Sequence, residues 1–349
     1  MEEESLHENI DRVLRRAGWS EEDEYRLFKL EGGANNKVFK IQGPKENVFL
    51  KRFYKHNLDS RDRLFSEYAF ALFAWNLGVR SLPQPICCDN KRNICVYEYV
   101  EGRKFTEKDI NRDAIKEAVD FFRLLNTQEA FKKGEHLPNA SEACFSILEH
   151  LRCIDRRIER LKNSEWVAKD FKAQFYLEKE LSDLWSKVQG RVLSAAKKSF
   201  CDVEETLDIS ERCLSPSDFG FHNALIMPAG GIKFIDFEYA GWDDPAKTVC
   251  DFFCQVKIPV PMEYYQMFSA AIIDHISDKK KILLRMRLLF PVYRVKWCLI
   301  LMNEFLPEGR ERRCFAGGEK DARENRRRRE KQLNKSRELA LGIGKDLRL

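Results

Sequence analysis

The sequence lacks the features that would place the chain among disulfide-rich, zinc-binding or secreted proteins. It contains 11 cysteines but no Cys-x-x-Cys pair, and the closest sets, Cys87-Cys88 and Cys250/Cys254, have no cluster of Cys or His beside them. We therefore expect neither a disulfide framework nor a zinc site, and interpret the cysteines as reduced, buried thiols. Residues 1–5 are acidic and do not form a basic or apolar leader. The sequence thus predicts no secretory signal and a cytoplasmic location.

A long uncharged apolar run is also missing. The most apolar stretch, residues 282–306, contains four basic residues and is interrupted by Pro291, whereas a membrane span needs about 20 mainly apolar residues. We expect amphipathic core helices here, broken at Pro291, and no membrane span. The net charge of +5 and the hydrophobic content of 44% are those of an ordinary globular protein. Its 349 residues suffice for two packed lobes, at roughly 100 to 200 residues per domain.

The most informative motif lies in residues 215–244. Asp218 precedes Asn223 by five residues, and a glycine turn then leads into an apolar, strand-like run that contains Asp236. The pattern predicts three oxygen-bearing side chains at one end of a hairpin. Such a set suits phosphoryl transfer, in which a protein positions an attacking hydroxyl and holds Mg²⁺ against nucleotide phosphates.

A second hairpin pattern lies upstream. The run from Leu30 to Ile41 begins with Gly32-Gly33, includes Asn36, and alternates apolar and polar residues. A second apolar run follows and ends at Lys51. Glycines are suited to places where the backbone must approach phosphate closely or adopt positive φ.

These motifs resemble those of the aminoglycoside phosphotransferase and choline kinase family, whose members are small-molecule relatives of the protein kinases. Within this family, the sequence resembles bacterial-type members more than dedicated resistance enzymes. The usual signature of the family is His-Gly-Asp-x4-Asn followed by Ile-Asp-[Phe/Trp], and the resemblance covers roughly residues 25–255. It implies an α+β, two-lobed, protein-kinase-like fold with a small β-rich N-lobe and a larger helical C-lobe. It also implies transfer of the γ-phosphoryl group of ATP, with Mg²⁺, to a hydroxyl of a small molecule such as a sugar, an amino alcohol or an aminoglycoside.

The resemblance assigns roles to the residues of the downstream motif. Asp218 is the expected catalytic acid/base, and Asn223 and Asp236 are the expected metal ligands. Asp218-Phe219-Gly220 also spells the metal-binding triplet of protein kinases, but no Asp-x4-Asn precedes it at a suitable distance. We interpret His222 as packed beside the loop, because Asp218 already fills the role of the base.

The resemblance also implies a nucleotide site in the first lobe, to which Gly32, Gly33 and Asn36 contribute. Lys51 would bind the phosphates, and Glu67, on the predicted helix over 61–76, would pair with it and fix its aim. The apolar strand over 94–102 resembles the hinge of the family. Backbone groups near Glu98 and Val100 would there bind adenine.

One departure from the family pattern puts the geometry of the loop in doubt. Pro216-Ser217 replaces the His-Gly that normally precedes the aspartate. The missing histidine would brace the loop, and the restricted φ of proline could replace that bracing. The alternative is a nucleotide-binding pseudokinase that is weak or inactive. Downstream, Asp244 is expected to cap the following helix rather than to bind metal.

The predicted organisation has three parts. Residues 1–100 form the nucleotide lobe and begin with an amphipathic helix over 5–18; residues 101–306 form the catalytic and acceptor-binding lobe. Helical patterns in the second lobe cover 114–125, 144–161 and 166–196.

A basic and mostly polar tail, 307–349, completes the chain with 14 Lys/Arg against 8 Asp/Glu. Its four consecutive arginines, 326–329, could bind nucleic acid by charge alone. Alternating charges with occasional leucines favour instead a solvated helix or one docked on the core through Leu333 and Leu341.

Overall fold

The computed structural model describes residues 2–30, 35–55, 61–317 and 321–346, with the backbone alone for residues 2–5. In chain order, the elements of the first lobe are α1 (Glu2–Arg16), β1 (Arg26–Lys29), β2 (Lys37–Gln42), β3 (Asn47–Arg52), α2 (Arg63–Asn76), β4 (Pro85–Asp89) and β5 (Ile94–Glu98). The strands form a five-stranded antiparallel sheet with the order β1-β2-β3-β5-β4.

Both faces of this sheet are covered, because successive side chains of a strand point to opposite sides. Val48 and Leu50 of β3 pack against the apolar stripe of α1, which confirms the amphipathic helix predicted over 5–18. Cys95 and Tyr97 of β5 belong to the larger core, to which α2 and the second lobe contribute. The near-continuous apolar character of β3 and β5 follows from this double burial.

The second lobe is mainly helical, which confirms the predicted fold class. Its helices are α3 (Arg112–Leu125), α4 (Gln128–Lys133), α5 (Ile147–Lys162), α6 (Glu165–Ala168), α7 (Phe171–Phe175), α8 (Ser182–Lys198), α9 (Pro245–Cys254), α10 (Tyr265–Ile272), α11 (Lys279–Leu301), α12 (Pro307–Gly317) and α13 (Ala322–Asp346). A π-helical segment, Tyr176–Leu181, joins α7 to α8.

Two small sheets in this lobe hold the loops that carry the downstream motif. Their strands are β6 (Arg103–Lys104), β7 (Cys213–Ser215), β8 (Ala224–Ile226), β9 (Ile232–Phe234) and β10 (Gly241–Asp243). β7 pairs with β10, and β8 lies between β6 and β9. The turn between β8 and β9 has φ of 88° at Gly230 and 84° at Gly231, a conformation that favours glycine. This turn is the glycine turn that the sequence predicted between Asn223 and Asp236.

Two helix predictions need correction. The pattern over 166–196 is interrupted after Ala168, because the Asp170 carboxylate accepts hydrogen bonds from the N–H groups of Lys172 and Ala173 and starts a new helix there. The predicted break at Pro291 is wrong, since α11 continues through it. An internal proline costs roughly 3 kcal/mol, and α11 outweighs this cost because apolar side chains on both sides of Pro291, such as Leu289 and Val292, are fully buried.

No helix within the described ranges is long and apolar enough to cross a membrane.

The last helix, α13, is docked on the second lobe. Leu333 and Ile343 are buried, and the Ser336 hydroxyl lies 2.7 Å from the Tyr176 hydroxyl and donates to the Cys298 carbonyl at 2.9 Å. Leu341 is 67% exposed, so Leu333 and not Leu341 makes the docking contact. The tail therefore packs through a mixed apolar and polar seam along α11.

The arginine run of α13 also makes contacts within the protein. The Arg328 guanidinium lies 3.4 Å from the Glu304 carboxylate, and the Arg329 guanidinium lies 4.5 Å from the centre of the Trp166 ring. These contacts favour a docked helix over a nucleic-acid-binding arm.

We predict that Leu333→Ala lowers the free energy of unfolding by about 2 to 5 kcal/mol, because it leaves a cavity under α13. Leu341→Ala on the same helix is the matched control and should change it by less than about 0.5 kcal/mol, since that side chain is exposed. Urea unfolding followed by circular dichroism measures both. Equal effects of the two substitutions would contradict the docking of α13.

Candidate active site

The loop between β7 and β8 carries Asp218. Ser217, just before it, has φ of 65°, a conformation uncommon outside glycine. The Asp218 N–H bonds the Pro216 carbonyl at 2.9 Å, and a short 3-10 turn, Phe221–Asn223, ends the loop. The chain thus turns sharply on both sides of Asp218, and 31% of its side chain is exposed.

Asp218 is held by two residues of its own loop. The buried His222 places Nε2 at 3.1 Å from Oδ1 of Asp218, and the Asn223 amide donates to Oδ2 at 3.2 Å and to the Asp218 carbonyl at 3.0 Å. Although burial raises the pKa of Asp218, the hydrogen bond and charge of His222, together with Lys257 and Asn223, lower it to about 2. His222 thus orients the carboxylate, a contact that the sequence analysis missed.

Lys51 lies at the centre of a buried cluster of charges. Its Nζ is 2.5 Å from Oε2 of Glu67 and 2.7 Å from Oδ1 of Asp236. Burial alone would lower the pKa of Lys51, but the Asp236 and Glu67 carboxylates raise it, so the ammonium form is kept. The structure therefore brings Asp236 to Lys51 and Glu67, from which it is far apart in the sequence, and all three were predicted for the site.

Asp236 lies just beyond β9, which ends at Phe234, and not inside the strand as predicted. Its φ of 68° turns the backbone out of the extended conformation. The Ile235 N–H donates to the Asn223 carbonyl at 2.9 Å, which ties the Asp236 segment to the Asp218 loop. Both predicted metal ligands therefore lie on adjoining, hydrogen-bonded segments.

The sequence analysis missed Glu238. This fully buried carboxylate accepts a hydrogen bond from Arg63 at 2.8 Å and another from Asn36 at 2.8 Å. Oxygen atoms of Glu67, Asp236 and Glu238 lie within 4.8 Å of one another. The sequence signal that could have identified Glu238 is its position two residues after Asp236.

The donor set suits Mg²⁺, which prefers oxygen ligands. Asp236 and Asn223, with a carboxylate and an amide oxygen, are the residues that could hold it, and Glu238 could supply a further carboxylate.

The remaining predicted nucleotide residues are placed as follows. The Asn36 side chain donates to Glu238 and accepts from the Tyr54 N–H at 3.1 Å, so it connects Glu238 to the backbone just beyond β3. β5 ends at Glu98, earlier than the strand predicted over 94–102, and Val100 follows it in irregular backbone. Gly32 and Gly33 lie outside the described residues. The hinge and glycine assignments stay predictions.

A buried lysine braces the Asp218 loop next to the position where the sequence lacks the family histidine. Lys247 on α9 donates to the Ser217 hydroxyl at 2.8 Å and to the Asp243 carboxylate, and all three side chains are buried. Burial raises the pKa of Asp243 to about 6, against the opposing charge of Lys247. Glycine, which the family signature has at this position, has no hydroxyl and could not make the contact of Ser217 with Lys247.

Asp244 next to this network caps α9, as predicted, by accepting from the Ala246 N–H at 2.7 Å. Its other oxygen also accepts from Arg285 at 2.6 Å and lies 3.1 Å from His150. These contacts anchor the start of α9, and thereby Lys247, to α5 and α11.

A sequence profile of the phosphotransferase enzyme family matches residues 28–275, which include the Lys51 cluster and the Asp218 loop. The chain therefore belongs to this phosphotransferase enzyme family. The predicted family resemblance and the prediction of a phosphotransferase are confirmed. No curated protein matches the sequence.

Several solved structures share the fold. A spectinomycin phosphotransferase in complex with ADP and spectinomycin is similar with a TM-score of 0.56 and 11% identity, over 92% of this chain and 93% of that chain. The ethanolamine kinase of Plasmodium vivax gives 0.54 and 15%, over 89% and 81%. The choline kinase of Streptococcus pneumoniae gives 0.53 and 16%, over 96% and 99%. The two-lobed kinase-like fold is thereby confirmed.

We predict that Lys247→Met lowers the free energy of unfolding by about 3 to 5 kcal/mol, because it leaves the Asp243 carboxylate buried without its partner. The double variant Lys247→Met/Asp243→Asn should recover part of this loss, since no uncompensated charge then remains. Urea unfolding of the single and double variants measures the coupling.

Lys187→Met is the matched control for this prediction. Lys187 pairs with Asp183 at 2.7 Å and at the same four-residue spacing, but both side chains are more than half exposed. Its loss should cost less than about 1 kcal/mol. A Lys247→Met variant as stable as this control would contradict the bracing role.

Proposed function

We propose that the protein transfers the γ-phosphoryl group of ATP to a hydroxyl of a small molecule in a Mg²⁺-dependent reaction. The observation that carries this proposal is the contact of Lys51 with both Glu67 and Asp236, beside the hydrogen-bonded Asp218 loop. Similar solved structures contain AMP or ADP, which supports an adenine nucleotide as the donor. The names of the similar enzymes support a small-molecule alcohol as the acceptor.

Lys51 would hold the nucleotide phosphates. An ammonium group has three donors, and Glu67 and Asp236 take two of them. The third can donate to a phosphate oxygen, while Glu67 keeps the side chain in position. Lys51 could therefore bind a phosphate oxygen while its hydrogen bond to Glu67 stays in place.

Asn223 and Asp236 would hold the metal ion, which supplies positive charge to the phosphate oxygens when bound. Glu238 is fixed by Arg63 and Asn36 and adds negative charge beside this position. The residues that would hold the metal are therefore oriented by their hydrogen bonds before the metal binds.

Asp218 would orient the acceptor hydroxyl and accept its proton. With a pKa of about 2, its carboxylate is ionised at neutral pH and can accept a hydrogen bond from the hydroxyl. A base this weak accepts the proton only after the bond between the hydroxyl oxygen and phosphorus has largely formed. This timing fits phosphoryl transfer, because its loose transition state needs little help from a base.

A nucleotide-binding pseudokinase is the alternative, suggested by the missing His-Gly before Asp218. The contact between Lys247 and Ser217 favours the enzyme, because it supports the loop from another direction. Both alternatives bind nucleotide, so turnover distinguishes them.

We predict that Asp218→Asn leaves the Mg-ATP-induced rise in melting temperature nearly unchanged but lowers turnover by about two to four orders of magnitude, because it removes the base alone. Asp236→Asn should weaken both, since it removes a metal ligand. Thermal unfolding with and without Mg-ATP and ADP formation with an acceptor provide the two measurements.

Asp120→Asn, an exposed carboxylate-to-amide change on α3, is the control and should alter neither measurement. A wild-type protein that millimolar Mg-ATP does not stabilise would rule out the nucleotide site. Loss of Mg-ATP binding in Asp218→Asn with normal turnover of bound substrate would reverse the roles of the two aspartates.

A further inference from the structure

Two cysteines lie directly opposite each other in the sheet of the first lobe. Cys88 on β4 and Cys95 on β5 are paired in the register of this antiparallel ladder. Opposite residues of such a ladder have Cα atoms about 4.5 to 5.5 Å apart and side chains on the same face. A disulfide spans Cα atoms about 4.4 to 6.8 Å apart. The backbone therefore already holds these two thiols at a separation that a disulfide can bridge.

The two thiols also interact with each other. The Cys95 S–H donates a hydrogen bond to the Cys88 sulfur and lowers the pKa of Cys88, to which the charge of Arg16 adds. Burial, followed by this same hydrogen bond, raises the pKa of Cys95 well above its ordinary value. The pair thus contains one thiol that ionises more easily than a free cysteine and one that keeps its proton.

Cys88 is the member of the pair that an oxidant can reach. It is partly exposed, whereas Cys95 is fully buried. A cavity of about 560 Å³ lies at Cys88, and its other walls come from α2, from Asn90 in the turn after β4 and from the α4 region. Reactive cysteines combine a lowered pKa with access to solvent, and often have a second thiol beside them. Cys88 has all three features.

Lys51 extends the row of these two side chains. On the other side of β5, Cys95 is opposite Lys51 on β3. Side chains at opposite positions share a face of the sheet, so Cys88, Cys95 and Lys51 form one row across three strands. The charge of Glu67, which contacts Lys51 at 2.5 Å, also raises the pKa of Cys95. A chemical change at Cys95 would therefore occur beside the Lys51 ammonium group.

We propose that Cys88 and Cys95 are a redox-sensitive pair whose oxidation to a disulfide weakens nucleotide binding at Lys51. The disulfide itself is independent of the proposed function, whereas its effect on nucleotide binding rests on that function. Cβ atoms at opposite positions are about 4.5 to 5.5 Å apart, and a disulfide needs about 3.5 to 4.5 Å. The bond therefore draws Cys95 about 1 Å toward Cys88 and away from Lys51.

Hydrogen peroxide is the oxidant class for this reaction. The Cys88 thiolate attacks one peroxide oxygen, the O–O bond breaks, and the sulfur becomes a sulfenic acid while hydroxide leaves. The Cys95 sulfur then attacks the Cys88 sulfur. The S–S bond forms, the S–O bond breaks, and the departing hydroxide takes the proton of Cys95. In total, two thiols and one peroxide give one disulfide and two water molecules.

Cys87 provides an internal control for this chemistry. It packs against the apolar cluster that includes α1, and its S–H donates to the Val13 carbonyl at 3.4 Å. Burial raises the pKa of Cys87 to about 11, so little thiolate is present at neutral pH. Although it adjoins Cys88 in the sequence, it should not react with Cys95.

Cys144 and Cys153 form a second hydrogen-bonded pair, in the second lobe. Their hydrogen bond lowers the pKa of Cys153 to about 6, but both side chains are buried. This pair therefore distinguishes the effect of access from that of acidity. Because Cys88 alone of these four thiols is partly exposed, it should react first.

Peptide mapping after limited treatment with hydrogen peroxide tests the disulfide. Free thiols are alkylated with iodoacetamide, and the protein is then digested with trypsin, which places Cys88 in peptide 81–91 and Cys95 in peptide 93–103. We expect these two peptides to be linked in the wild-type protein and in Cys87→Ser, and to separate after reduction with dithiothreitol. The link should be absent in Cys88→Ser.

Absence of the link between peptides 81–91 and 93–103 would overturn the proposal, whatever other oxidation products form. A link that persists in Cys88→Ser would show that Cys87 reacts instead, and would overturn it as well. A link between peptides 134–152 and 153–156, which contain Cys144 and Cys153, formed before that of Cys88 would contradict the role of access.

Thermal unfolding with increasing Mg-ATP tests the effect on the nucleotide site. A misplacement of about 1 Å can cost up to about 100-fold in function. In the oxidised wild-type protein, the Mg-ATP concentration needed for a given rise in Tm should therefore increase about tenfold or more. Each form is compared with its own Tm without ligand, because a disulfide changes stability by itself. Dithiothreitol should restore the response, and Cys88→Ser should respond equally with and without peroxide.

The two parts of the proposal fail in different ways. If the oxidised protein carries the link but responds to Mg-ATP like the reduced protein, the effect on the nucleotide site is wrong. If Mg-ATP does not stabilise even the reduced wild-type protein, the proposed function is wrong, and the effect of the disulfide on it falls with it. The linked peptides decide in either case whether Cys88 and Cys95 are the redox-sensitive pair.

Discussion

The position of the two lobes depends on the buried ammonium group of Lys51. This group belongs to β3, contacts Glu67 on α2, and reaches Asp236 in the second lobe. A buried charge is costly unless it is paired, so Lys51 favours the arrangement in which β3, α2 and the Asp236 segment lie together. The contacts of Glu238 with Arg63 on α2 and with Asn36, just before β2, add a second link between the two lobes. The site that we propose binds the nucleotide is therefore stabilised by the same charges that we propose act on it.

A second buried lysine has a corresponding role for the Asp218 loop. Lys247 connects Ser217 to Asp243 at the point where the sequence lacks the His-Gly of the family signature. His222 then fixes the Asp218 carboxylate from the other end of the loop. The Asp218 loop is thus held by His222 and Lys247, neither of which the signature His-Gly-Asp-x4-Asn specifies.

The sequence predicted the features that depend on local patterns or on spacing. The amphipathic α1, the glycine turn between β8 and β9, and the cap at Asp244 follow from residues within one or two turns of each other. The continuity of α11 through Pro291 could not be predicted, because it depends on packing against helices distant in the sequence. The residues that line the cavity beside Asp218 could not be predicted for the same reason, since they come from several separate parts of the chain. Spacing alone does not show which charged faces turn inward.

The most direct test of the account is a crystal structure with Mg²⁺ and a non-hydrolysable ATP analogue. We expect oxygen atoms of Asn223 and Asp236 at about 2.0 to 2.1 Å from the metal. The Lys51 ammonium should contact a phosphate oxygen while remaining bonded to Glu67, and Asp218 should face the terminal phosphate without binding the metal. A metal bound by Asp218 in place of Asp236, or a nucleotide bound away from Lys51, would contradict the account.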